Sequence, residues 1–469
     1  MCLFLCVFCR KILQVFVYLE YKPCKFIRML AHNKNPNQVS FLSTFEEILD
    51  RKHGLYKLAN KIDWNVFEQV FSPLYSSGKG RPAKPIRLMV GLLILKHLRN
   101  VSDEVVVAQW SENNYYQYFC GEESFATGAP CEASELVHFR NRIGESGVEL
   151  ILKESIRVNE KDSDDDNVNI DTTVQEKNIT YPTDAKLHNK IIKKCKQISE
   201  QENVKVRQTY TQTLKKLAIS QRFRNHPKNS AKARKADRKV KTIAGRLVRE
   251  LERKLDPNSI HHPTLEIFKQ VLSQKRNSTG KIYSLHELAV CCISKGKEHK
   301  KYEFGNKASF VKTDSGVIVG ALGFRNEYDG HTLDAVLEQV KKLTGKAPKV
   351  AKVDRGYRGK KQVGDTEILI PSTPKKSDSY YKRKKLSNAH KKRAAIEPVI
   401  GHLKSDHRLN RNFYKGIIGD NINIMLAAAA FNFKRMMNKC KSSFWLFFSE
   451  VFYSIIYLLF WKQKYKMTF

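Results

Sequence analysis

The chain has 469 residues, with 84 Lys and Arg against 47 Asp and Glu and a formal charge of +37. That length allows two or three domains with real cores, and so basic a balance points to a polyanionic partner, nucleic acid first and an acidic membrane surface second. The ten cysteines form no disulfide or zinc framework: Cys6 and Cys9 make a lone CxxC, and the adjacent Cys291 and Cys292 sit in an apolar run expected to be buried, so free thiols in a reducing cytoplasm are predicted.

Residues 1–18, MCLFLCVFCRKILQVFVY, are apolar with Arg10 and Lys11 in the middle, and they lack the basic start and small-residue cleavage site of a signal peptide. Met29 opens a more ordinary polar start, so residues 1–28 are expected to be an upstream extension of the reading frame. Residues 29–160 predict an all-helical domain suited to DNA binding. In KPIRLMVGLLILKHLRN (84–100), Ile86, Met89, Val90, Leu93 and His97 share one helical stripe, and Ser102 and Asp103 offer caps for a helix over Val105 to Tyr118. A third helix is expected from Ala133 or Ser134, with Leu136, Phe139, Arg140 and Ile143 on one face and Gly144 near its end.

The acidic run Lys161 to Asp166 reads as a linker into a catalytic domain over 161–440. Its first strand, VNIDTTVQ, alternates Val168, Ile170, Thr172 and Val174 against Asn169, Asp171, Thr173 and Gln175, which puts Asp171 opposite the apolar set. Residues 186–285 change to long charged helices. Val204 to Lys254 carries 17 Lys and Arg against Asp237, Glu250 and Glu252, and its only aromatics are Tyr210 and Phe223; duplex phosphates fit such a segment better than a stacked single strand. From Tyr283 onward, HELAVCCISKGK, KKYEFGNKASFVKT and GVIVGALGF predict antiparallel strands, His331 to Leu343 a helix, APKVAKVDRGYRGKKQV a short buried strand ending at Asp354, and TEILIPS another strand. This is the element order of an RNase H-like α/β fold with the basic helices inserted after the first strand.

Arg393, Glu397 and Lys404, in KKRAAIEPVIGHLKSDHRL, fall within about 40° of one another around a helix axis and present cation, carboxylate, cation on one face. By itself such a triplet is an exposed i, i+4 ion pair. The fold order changes its weight, because it sets Asp171 on the central strand, Asp354 at the end of its neighbour and Glu397 on a helix against the sheet. Three converging carboxylates repel unless a cation neutralises them, and oxygen-only ligation suits Mg²⁺, with Mn²⁺ as substitute, in a two-ion arrangement. The aromatic tail, residues 441–469, includes the apolar stretch Phe444 to Trp461; its length is marginal for a membrane span and Glu450 counts against one, so membrane association is not expected.

Three blocks, TTVQEKNITYPTDAKL after Asp171, VDRGYRGKK around Asp354 and RAAIEPVIGHLKSDHRL around Glu397, resemble the catalytic blocks of bacterial insertion-sequence DDE transposases of the insertion-sequence-five type. GRPAKPIRLMVGLLILKHL, YYQYFCG and SELVHFRNRIGE are similar to that group's N-terminal domain, so the resemblance covers roughly residues 40–440. It implies metal binding by Asp171, Asp354 and Glu397. It also implies DNA contacts from Arg393 and Lys404, which match the Arg and Lys of the tyrosine, arginine, glutamate, lysine signature; His390 stands where that tyrosine is expected. Arg355 and Arg358 beside the second aspartate, and Arg408 after the third block, are further DNA-contact candidates; Tyr181 to Asp184 resemble the loop after the first strand. The implied activity is strand cleavage at transposon ends and strand transfer into target DNA by a homodimer or larger synaptic complex, in the bacterial cytoplasm at the nucleoid. A catalytically inactive DNA-binding remnant is the alternative.

Overall fold

The structure is a computed structural model that describes residues 29–30, 44–76, 82–275, 277–294, 301–325, 327–370, 375 and 377–439. The leader 1–28, the tail from residue 440 with Phe444 to Trp461, and residues 295–297, 300 and 371–372 of three predicted strands lie outside that set. Two compact units are present, one of residues up to Leu95 with Ser102–Gly147, the other of Lys96–Val101 with the chain from Val148.

The first unit is helical: α1 (Phe45–Ile48), α2 (Gly54–Lys61), α3 (Trp64–Phe71), α4 (Ile86–Leu98) as far as Leu95, α5 (Asp103–Glu112), α6 (Asn114–Phe119) and the start of α7 (Ala133–Arg157). The single stripe predicted for α4 is an underestimate: from Leu88 to Leu98 every residue is buried, so it is a central helix and not an amphipathic one. Ser102 caps α5 by accepting from the Val105 amide at 3.3 Å, as the sequence suggests. The predicted helix over Val105 to Tyr118 is broken, because Asn113 caps a new helix by accepting from the Tyr116 amide. Gly144, at φ 61°, interrupts α7 rather than ending it. Aromatic contacts fill the core, Trp64 edge-on to Phe119 at 5.2 Å and Phe71 to Phe139 at 6.0 Å, and a buried bidentate pair joins Arg140 to Asp103 at 2.8 and 2.9 Å.

The second unit is a mixed α/β structure. Its strands are β1 (Asn167–Lys177), β2 (Cys291–Ile293), β3 (Glu303–Thr313), β4 (Ile318–Phe324), β5 (Val350–Lys352), β6 (Gln362–Val363), β7 (Thr366–Leu369) and β8 (Arg411–Asn412). They form one sheet in the order β2-β3-β1-β5-β7-β6, with β4 also on β3 and β8 also on β1. β1 to β3 and β3 to β4 are antiparallel, whereas β1 to β5 and β5 to β7 are parallel. Taken as β4-β3-β1-β5-β7, this is the RNase H arrangement. Because β1 is central, both of its faces are covered: Asn169, Thr173 and Gln175, placed opposite the apolar set by the alternation, are buried. Cys291 and Cys292, expected to be buried, are half-exposed, since β2 pairs only at the sheet's edge.

The basic insertion runs between β1 and β2 as α8 (Asp184–Gln201), α9 (Thr211–Ser220), α10 (Pro227–Lys254) and α11 (His262–Ser273). It has its own core, in which Leu187, Ile191 and Ile198 of α8 meet Val240, Leu247 and Leu251 of α10 and Phe268 of α11. After β4 comes α12 (Leu333–Thr344), and after β7 come α13 (Tyr380–Ala394), α14 (Ile396–Asp406) and α15 (Gly416–Lys439). Asparagines of α15 cover the free edge of β4: Asn432 bonds both the amide and the carbonyl of Ile318, and Asn421 accepts from Gly323. By length and composition α15 could cross a membrane, but 78% of its apolar window is buried.

Candidate active site

The register of two parallel strands brings the aspartates together. Asn169 on β1 pairs with Lys352 on β5, so two residues further along both strands Asp171 stands level with Asp354. The predicted strand ends earlier than expected: β5 stops at Lys352, and Asp354 instead caps a 3-10 turn over Arg355–Tyr357. Each aspartate uses one oxygen on nearby backbone, Asp171 Oδ1 accepting from the Thr172 amide and Asp354 Oδ1 from the Gly356 amide, both at 2.8 Å. Each turns its other oxygen to a common point.

That point holds the Arg393 guanidinium, whose Nη2 lies 3.7 Å from Asp171 Oδ2 and 3.8 Å from Asp354 Oδ2, while Nη1 donates to Glu397 Oε1 at 3.0 Å. The continuous helix expected through Arg393 and Glu397 is interrupted at Ala395. Pro398 accounts for the interruption, since its nitrogen has no hydrogen to give the Ala394 carbonyl and its ring crowds that turn. The i, i+4 pair survives because Ala395 keeps a right-handed helical backbone.

The side chains are unequally buried: Asp171 is 15% exposed, Asp354 37% and Glu397 58%. Only the Glu397 contact has hydrogen-bond length; the guanidinium is held between the aspartates by charge. Among the described residues no three Asp, Glu, His or Cys side chains are close enough together to hold a metal ion in this conformation. The donor set is nonetheless all carboxylate oxygen, converging on one cation, which suits a hard divalent ion.

Of the remaining candidates, Arg355 and Arg358 are exposed beside Asp354, and His390 and Lys404 are half-buried on α13 and α14. Arg408 has a left-handed backbone, φ 63°, and its guanidinium lies 5.6 Å from the Phe413 ring.

Two neighbours, Asp329 and Gly356, escaped the sequence reading. Asp329, in the turn before α12, pairs with Lys307 of β3 at 3.0 Å. Its Oδ2 and the Oδ1 of Asp354 lie 3.4 and 2.9 Å from where a Cβ on Gly356 would stand, so a fourth carboxylate borders the site and only glycine fits between. Tyr357 is fully buried, and burial, then the carboxylates of Asp329 and Asp171, push its phenol well above the ordinary range, keeping it neutral. The only signal for Asp329 is an Asp-Gly pair, which reads as turn chemistry.

Residues 43–142 match the family model described as a transposase domain (DUF772), and residues 270–433 match the transposase DDE domain. The chain belongs to the insertion-sequence DDE transposases. The second match contains Asp354, Arg393 and Glu397; Asp171 lies before it, across the insertion. The transposase is also 38% identical over 191 residues to an uncharacterized protein, ORF8 in the nfe locus, of Rhizobium meliloti, an alignment spanning 40% of this chain and 92% of that one. No solved structure matches.

Proposed function

We propose that the chain binds the terminal inverted repeats of an insertion sequence of the insertion-sequence-five type and catalyses divalent-metal-dependent strand cleavage and transfer into target DNA. The observation that carries this reading is the convergence of Asp171, Asp354 and Glu397 on Arg393. Asp171, Asp354 and Glu397 would hold a pair of Mg²⁺ or Mn²⁺ ions, which would supply Lewis-acid activation of the attacking hydroxyl and stabilisation of the leaving oxygen. The protein's own contributions are positional. Backbone bonds fix the rotamers of the two aspartates, and Gly356 lets Asp354 approach. Arg393, released from the carboxylates, has its guanidinium fork available for a DNA phosphate, joined by Lys404, His390, Arg355, Arg358 and Arg408. The helical first unit recognises the repeats, and a homodimer or larger synaptic complex at the bacterial nucleoid in the cytoplasm holds two ends together.

The test is cleavage of a duplex bearing the element's ends by Asp171→Asn, Asp354→Asn and Glu397→Gln. Each is expected to lose about a thousandfold in rate, several kcal/mol of transition-state stabilisation, while end binding persists. Parallel loss of binding would make these side chains structural. No product from the unaltered chain with either ion would identify an inactive DNA-binding copy.

A further inference from the structure

The long insertion helix α10 carries a row of cations that the carboxylate site does not use. Buried Ala233, Ala236, Val240, Leu247 and Leu251 fix which side of α10 faces the insertion core. At about 100° per residue, Lys228, Lys235, Lys239, Arg246 and Arg253 lie within about 40° of one another on the outward side, and all five are exposed. The row extends 25 residues, roughly 37 Å, or about eleven base-pair steps of 3.4 Å.

The nearby acids are engaged elsewhere. Asp237 pairs with Arg224, Glu250 with Lys254, and Glu252 with Lys269. Among the described residues none of the five cations forms a salt bridge, and only Arg253 lies near enough to a carboxylate, that of Glu250, to help lower its pKa, so Lys228, Lys235, Lys239 and Arg246 form a row of like charge. Just before the row stands Phe223, 78% exposed, in a left-handed backbone at φ 53°, between Arg222 and Arg224. A bulky side chain rarely adopts that conformation, and its exposure offers no compensating burial.

We propose that the insertion is a second duplex-DNA contact, apart from the carboxylate site, in which the α10 row tracks the phosphate backbone and Phe223 lies against a base step. It rests on the reading of DNA as the substrate. One exposed aromatic at the end of a cationic row is the composition of a backbone contact with an apolar wedge; a single strand calls for successive aromatics, which this helix lacks.

The test is binding of the full chain to an arbitrary-sequence duplex in chelator, where no cleavage occurs, across a range of salt. Changing all five row residues to Gln is expected to reduce the slope of log affinity against log salt by roughly 0.9 per side chain removed. Lys341→Gln with Lys361→Gln, exposed lysines elsewhere, controls for net charge and is expected to leave the slope nearly unchanged. Phe223→Ala is expected to weaken binding about fivefold at every salt concentration with no change of slope. Unaltered thermal midpoints establish that the variants fold. A wild-type slope in the five-fold variant overturns the proposal, as does an equal effect per charge in the control pair. Unchanged affinity in Phe223→Ala overturns the base-step contact. If vesicles of anionic phospholipid bind and the row substitutions abolish that binding but not DNA binding, the surface is a membrane contact and the proposal fails. Cleavage is read separately, so an inactive chain with the expected change of slope overturns only the catalytic reading.

Discussion

Replacing Arg393 with Ala separates two roles that one side chain combines. Its guanidinium lies 3.7 and 3.8 Å from two partly buried aspartates, and at an effective dielectric constant of about 20 each attraction is roughly 4 kcal/mol. Desolvation of the guanidinium and solvent screening at Asp354 offset much of this, and the exposed pair with Glu397 adds about 0.5 kcal/mol. A net loss of about 2 kcal/mol is expected in chelator, a fall of about 4 °C in the melting midpoint. A divalent ion supplies the missing charge, so Mn²⁺ or Mg²⁺ should stabilise Arg393→Ala more than the unaltered chain, and calorimetric titration should show tighter ion binding to the variant. Arg393→Lys should fall between. Scanning calorimetry with and without the ion reads the first expectation. Equal stabilisation of both proteins by the ion, or weaker ion binding by the variant, would refute competition between the guanidinium and a metal for the carboxylates.

Gly356→Ala places a methyl group 2.9 Å from Asp354 Oδ1 and should lower cleavage more than tenfold while duplex affinity stays within about twofold, read by gel assays on one DNA. Lys177→Met should cost about 3 to 5 kcal/mol in urea unfolding, because Lys177 is buried with Asp420 at 2.6 Å and Glu287 at 3.6 Å, and the change leaves both carboxylates without their cation. His407 is fully buried, its Nδ1 donating to the His97 carbonyl at 3.0 Å, and burial lowers its pKa to about 4. The unfolded chain therefore binds the proton first on acidification. Stability from the neutral ring is complete above about pH 6.5 and falls as the pH drops toward 4, by about 3 kcal/mol. His407→Gln should flatten the dependence of unfolding free energy on pH across that window, and an unchanged slope would show that His407 is not its source.

The carboxylates were legible in the sequence because each sits in a pattern with local meaning: an alternating strand for Asp171, a strand end for Asp354, and an i, i+4 cation for Glu397. What places the first two side by side was not legible, since it depends on the pairing of Asn169 with Lys352 across 182 intervening positions and a helical insertion. Asp329 escaped for the same reason: it reaches the site through a turn and its pairing with Lys307, and no periodicity marks it. The even burial of α4 was misread because four apolar positions and His97 were placed on a stripe while the rest of an almost wholly apolar segment was left unassigned. The break at Ala395 was visible in Pro398, whose missing hydrogen the face argument did not include.

The three carboxylates are not equivalent, and their supports show why. Asp171, on the central strand β1, and Asp354, capping the turn after β5, are each fixed by a bond from a nearby backbone amide, which rotation of the carboxylate would break. Glu397 has no such tie: it is 58% exposed, on a helix that restarts at Ile396, and among the described residues its ion pair is with Arg393. The site is thus a rigid pair and an adjustable third arm, joined by a cation that binds all three. Anything that draws the guanidinium outward, such as a phosphate, removes the charge that keeps the aspartates from repelling each other and frees Glu397 together with it. If DNA binds at Arg393 as proposed, its arrival should raise the affinity of the carboxylates for another cation, and by linkage a cation among the carboxylates should raise the affinity of Arg393 for the polyanion. In a chelator-to-Mn²⁺ titration of Asp171→Asn, which removes one of the two fixed charges, this coupling should shrink below that of the unaltered chain; coupling of the same size would mean that DNA and metal are linked through some other element.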